Sequence, residues 1–157
     1  MTHAQSIART EINPDLAARD ANARAIAALK RLDNDVIVYR SLGEFEESRK
    51  LARVSLKAFE RDLNEVTREV QPVVDRMRHD KLRTQLTNSL DSFRDGLFWW
   101  RQVDQPRVIN VSALGYADAN HTAADAAFLS NVPYTVAINW RQAEKYLIQA
   151  ERTLNQH

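Results

Sequence analysis

The chain has 157 residues, with 22 Lys and Arg against 21 Asp and Glu, for a formal charge of +1. That length suits one domain with a real core, and the charge balance excludes a long-range field that would gather polyanions or coat an anionic bilayer. There is no Cys, which removes disulfides, thiolate nucleophiles and Cys-based metal sites, while only three Gly and four Pro point to long elements and few turns.

The first 13 residues are polar and without sustained periodicity, which predicts a flexible N-terminal arm at 1–13 and a single helical-bundle domain at 14–157. The opening Met-Thr-His-Ala-Gln-Ser has no basic stretch leading into an apolar one. No run of about 18 apolar residues follows either. The expectation is a cytoplasmic protein with no membrane insertion.

Asn13-Pro14-Asp15 reads as a helix start: a capping side chain, a proline whose missing N–H costs nothing there, and an early carboxylate at the positive end. Apolar positions at Leu16, Ala23, Ile26, Leu29, Leu32, Val36, Tyr39 and Leu42 then predict a first helix that ends at Gly43. Val36 to Tyr39 is β-branched enough to suggest a strand, but the periodicity on both sides favours helix. The second helix has the cleanest seam: Ala52, Leu56, Phe59, Leu63, Val66, Val70, Val73 and Met77. Pro72 interrupts it, and a turn there with a third helix starting at the proline is expected. The third helix carries Leu82, Leu86, Leu90, Phe93, Leu97 and Trp100 and stops before Asp104-Gln105-Pro106. The fourth begins near Pro133 with Val136, Trp140, Ala143, Leu147, Ala150 and Leu154 on one face.

Four such helices of roughly 24 to 32 residues would form rods of about 36 to 48 Å. The fold class is therefore all-α: an up-down antiparallel four-helix bundle. A low-charge cap segment, about 104–132, separates the third and fourth long helices, with an Ala-rich helix over Thr122 to Leu129 expected inside it. Locally, Tyr39, Leu42, Gly43, Glu44, Phe45, Glu46, Glu47 and Leu56 resemble the helix-turn-helix corner of a tetratricopeptide repeat. No second copy follows at a period of about 34 residues, and a tight corner between two helices accounts for the same residues.

The chemistry-bearing residues are sparse. Asp75 with His79 and His121 with Asp125 stand four apart, which on a helix would place each pair on one face. A His/carboxylate metal enzyme could be built only from these, but no Glu-x-x-His pair faces the core as a di-metal bundle requires. Ser112 lies near His121 in sequence alone, and the three glycines are too scattered to cradle a phosphate. The reading is no enzyme, no cofactor and no metal. Arg49, Arg53, Lys57 and Arg61 form one basic stripe and Arg76, Arg78, Lys81 and Arg83 a second cluster. Glu46, Glu60 and Asp80 interrupt them, so a solvated mixed-charge face is expected and no nucleic acid.

Phe98-Trp99-Trp100 is the most informative run. If Leu97 and Trp100 point inward, a rotation of about 100° per residue turns Phe98 and Trp99 off that face. Such a flank needs cover from the cap, a second protomer or a ligand. The leading expectation is a non-enzymatic interaction protein, an adaptor, regulator or inhibitor, that binds a protein partner through Phe98, Trp99, Arg101 and Tyr116, with a homodimer as a further form of the same contact. The alternative is a small-molecule-sensing bundle with a pocket lined by Trp99, Tyr116, Tyr134 and Trp140. In overall shape such a bundle resembles the ligand-binding domains of bacterial chemoreceptors and sensor kinases.

Overall fold

The described part of the chain, residues 13–104 and 121–156 of a computed structural model, consists of α-helices joined by short extended or irregular links, and for Asp104 and residues 121–129 the backbone alone is described. The helices are α1 (Pro14–Asp35), α2 (Leu42–Ser48), α3 (Leu56–Arg76), α4 (Lys81–Asp104) and α5 (His121–Asn155). Their starts follow from side-chain caps. Asn13 Oδ1 accepts from the Asp15 N–H at 3.0 Å, Ser55 Oγ from the Ala58 N–H at 3.1 Å and Asp80 Oδ1 from the Arg83 N–H at 2.9 Å.

The apolar periodicities become one core. α1 contributes Ile26, Leu29 and Leu32; α3 contributes Phe59, Leu63, Val66, Val70 and Val74; α4 contributes Leu86, Leu90, Phe93 and Leu97; α5 contributes Val136, Trp140, Ala143, Leu147 and Ala150. Among the described helices, the interface of α4 with α5 is the most extensive. Glu60 meets Arg101 and Gln71 meets Arg94 between α3 and α4, while Gln85 meets Thr153 and Phe93 meets Trp140 between α4 and α5. Both series run in opposite chain senses along their two helices. Among the described residues the architecture is a helical bundle of four long helices and one short one.

The first helix is shorter than its periodicity predicts. It ends at Asp35, and Val36 is extended, with φ −97° and ψ 162°. Three β-branched residues in a row favour that geometry, and the fold gives their backbone a partner. Val36 bridges Ala52 in antiparallel fashion, the Ile37 N–H donates to Leu51 O at 3.0 Å, and the Arg53 N–H donates to Asp35 O at 2.7 Å. The Arg53 guanidinium donates to the carbonyls of Asn34 and Val36, both at 2.9 Å, placing a cation on the negative end of α1. Val36 and Tyr39 are buried as their spacing implies, but from an extended segment.

Gly43 consequently lies inside α2 instead of ending a helix. The α2 start is held by Ser41 Oγ accepting from Glu44 N–H, while Glu44 Oε2 accepts from Arg40 N–H at 2.9 Å, and Arg49 in the left-handed region (φ 47°) ends it. The corner that resembles a tetratricopeptide repeat is therefore this short helix and the extended links beside it. Pro72 is also inside a helix. It sits on the exposed side of the last turn of α3, whose other face continues through Val70 to Val74. One lost backbone bond four residues from the helix end is outweighed by that burial, so the chain turns at Met77–Asp80 and not at the proline. Pro133 is likewise interior: α5 already runs from His121, so residues 121–132 of the expected cap are the beginning of the last helix. Residues 105–120 of that cap, and residues 1–12 of the expected arm, lie outside the described residues.

Candidate functional site

The aromatic residues fall into groups with different surroundings. Trp140 is fully buried. Its ring centroid lies 5.0 Å from that of Phe59 and 5.5 Å from that of Trp100, and its Nε1–H donates to Phe93 O at 3.4 Å. Gly96 makes the room: a methyl group there would come within 2.8 Å of three atoms of the indole. Trp100, expected to face inward, is half-buried and joins this group.

Tyr134 belongs elsewhere. Its ring stacks edge-on against Phe45, centroids 4.8 Å apart, in a small cluster with Tyr39 and Ala137 on the outer side of α5. Its hydroxyl donates to Glu46 Oε1 at 3.0 Å, and that carboxylate raises the phenol's pKa. The four residues expected to share a pocket are thus distributed: Trp140 in the main core, Tyr134 in the small cluster, Trp99 half-buried against the main core, and Tyr116 outside the described residues. A hollow of about 490 Å³ opens where Leu16, Leu82 and Leu154 meet at one end of the bundle, and Trp99, Tyr134 and Trp140 are not among the described residues that line it.

At the end of α4, Phe98 is 53 % exposed and its ring meets Trp99 edge-on at 5.2 Å. The rotation between Leu97 and Phe98 separates them as the helical period requires: Leu97 is buried. Arg101, placed with the two aromatics by sequence, is ion-paired with Glu60 of α3. Val103, one turn on, adds a further exposed apolar side chain.

Two features carry no short motif that would reveal them. The first is a pair of carboxyl contacts at the negative end of α1. Asp33 has a pKa pushed up to about 7, first by burial and then by Glu144 of α5, with Arg53 opposing. Asp35 is also pushed up to about 7, by burial and then by a hydrogen bond with Asp62 of α3, with Arg61 opposing. Asp33 Oδ1 and Asp35 Oδ2 are buried and have no donor. Each acidic neighbour supplies one only when the pair holds a proton, which is the physical content of the raised values.

The second feature is a groove of about 690 Å³ between the extended Val38–Arg40 and the outer face of α5. Ile138, Arg141, Lys145, Ile148 and Arg152 follow one another at steps of three and four, so a periodicity search turned toward the solvent side of α5 would find them.

The remaining sequence candidates are dispersed. Asp75 ends within α3 and accepts from Gln71 Nε2 at 2.9 Å, whereas His79 lies beyond the helix end, its Nδ1 2.9 Å from Arg83 Nη1. They do not share a helix face. His121 and Asp125 are in α5, with only their backbone described. Among the described residues no group of three or more His, Asp and Glu is placed to hold a metal ion. Arg49 and Arg53 precede α3, so the basic stripe is not continuous on one helix. No described helix is long and apolar enough to cross a membrane. No protein-family model, no curated protein and no solved structure matches this chain.

Proposed function

We propose that this protein acts without catalysis, by binding another protein through the aromatic end of α4. The observation that carries this reading is the exposed Phe98 ring, braced edge-on by Trp99, on a helix whose opposite face is fixed in the core. Bracing matters because an aromatic anchor already held in one orientation loses little freedom on docking. Trp99 is half-buried against the main core, so it acts as the support and Phe98 as the contact. The Arg101–Glu60 ion pair borders the same turn and suits a polar rim that sets register. The matching partner surface is an apolar pocket of one side chain's width.

Phe98→Ala tests the reading, since an exposed side chain can be removed with the fold intact. A protein captured by the wild-type chain from its native host should bind the variant more weakly by about 2 kcal/mol, a typical anchor contribution, with an unchanged melting temperature. Equal affinity for both chains overturns the assignment of Phe98.

A further inference from the structure

We propose that the groove between Val38–Arg40 and α5 docks an acidic amphipathic helix of a protein partner, with apolar side chains seated on Ile138 and Ile148 and carboxylates on the cations between and beside them. This surface is separate from the α4 turn and goes beyond the reading given for it.

The charge distribution makes the case. Some cations elsewhere on the bundle have acidic partners: Lys30 with Glu151, Arg31 with Glu69, Arg94 with Asp91 and Arg101 with Glu60. In the groove they do not. Among the described residues, the side chains of Arg40, Arg141, Lys145 and Arg152 have neither an ion pair nor a hydrogen bond, and all four residues are exposed. The reason lies in where α5 spends its own carboxylates. Glu151 is committed to Lys30 of α1, and Glu144, the single acid among the described residues that line the groove, is the neighbour whose charge helps raise the pKa of Asp33 of α1. Both acids are turned toward α1, and the three α5 cations are left on the outer stripe.

That stripe is unfavourable to the isolated protein. Arg141 and Lys145 stand four apart, a spacing that brings like charges together on a helix and destabilises it. Ile138 is 55 % exposed and Ile148 is 41 % exposed on the same stripe, ten residues apart, which corresponds to about 15 Å along the axis. An occupant that answers all of this carries apolar side chains ten or eleven residues apart on one helical face, with Asp or Glu at the intervening three- and four-residue steps. A second copy of the groove itself would bring cations against cations. The extended wall at Val38–Arg40 makes the surface concave, which suits a rod better than a planar bilayer. Nucleic acid would satisfy the cations but leave both isoleucines uncovered.

The test uses the full chain and a labelled 16-residue peptide, Leu at the two anchor positions ten apart, Glu at the steps between and Ala elsewhere, followed by fluorescence anisotropy. Saturable binding is expected, weakened at least tenfold by Lys145→Glu and by Ile148→Ser, each with an unchanged melting temperature, and weakened as salt rises. Phe98→Ala should bind this peptide as the wild type does, which separates this proposal from the one for α4. No saturable binding at millimolar peptide overturns it, as does binding that survives both substitutions. Tighter binding of phosphatidylserine vesicles or of single-stranded DNA that Ile148→Ser leaves unaltered also overturns it, in favour of a general anion surface.

Discussion

Where α4 crosses α5, shape does the work; where α1 ends, charge does. At the crossing, Gly96 has no side chain so that the Trp140 ring can lie against its backbone, and Phe59, Phe93 and Trp100 close around it. At the end of α1, two aspartates with buried oxygens face Glu144 and Asp62 across helix boundaries, and Arg53 supplies the nearby positive charge. The first region is fixed by volume, with no ionisable group among the residues named at the crossing. The second depends on proton occupancy, because carboxyls facing one another repel when all are ionised. One bundle therefore combines a part governed by volume with a part that also responds to pH.

Three experiments would sharpen or break that contrast. The largest effect belongs to Trp140→Ala, which empties the centre of the core and should cost about 3–5 kcal/mol in chemical denaturation; a smaller loss would show that the ring is not the keystone of the crossing. Gly96→Ala comes next, at about 1–3 kcal/mol from overpacking. In a Trp140→Leu background that penalty should shrink, and additive losses in the double variant would show that the two positions do not share one space.

The smallest effect is the pH response. Asp33 and Asp35 have folded pKa values of about 7 against an ordinary 3.8, so between these values the folded state holds more protons than the unfolded one. Stability from this source therefore falls as pH rises from about 4 to about 7 and levels off above that. Asp33→Asn supplies an amide donor toward Glu144 and should flatten the decline. The gain at pH 8 is on the order of 1 kcal/mol, since partial exposure screens the repulsion. The measurement is the melting temperature from pH 5 to pH 8 for both chains, and parallel curves would remove the charge half of the comparison.

The legibility of the sequence follows the same division. Positions that pack by period were readable: the α3 seam from Phe59 to Val70, the α4 face from Leu82 to Leu97 and the α5 face from Val136 to Ala150 are buried as their spacing predicts. The element ends were harder, because they depend on partners distant in sequence. Val36–Val38 leaves the helix since Leu51, Ala52 and Arg53 receive its backbone, and no local pattern announces that pairing. Pro72 and Pro133 mislead for the opposite reason: tertiary burial of Val74, Val132 and Val136 keeps helices running through residues that end them in isolation. The period also foretold that Phe98 would turn from the face of Leu97. It could not indicate that Arg101 would be taken by Glu60, nor that α5 would turn its acids toward α1.

The fit of Trp140 over Gly96 also constrains how this chain can change over time. Any side chain gained at position 96 collides with the indole, whereas shrinking position 140 first leaves a cavity that a later residue at 96 can fill. Mutational routes between this sequence and its descendants must therefore pass through the smaller ring before the larger side chain. In a collection of such descendants the two positions would vary together, bulk on one helix trading for bulk on the other.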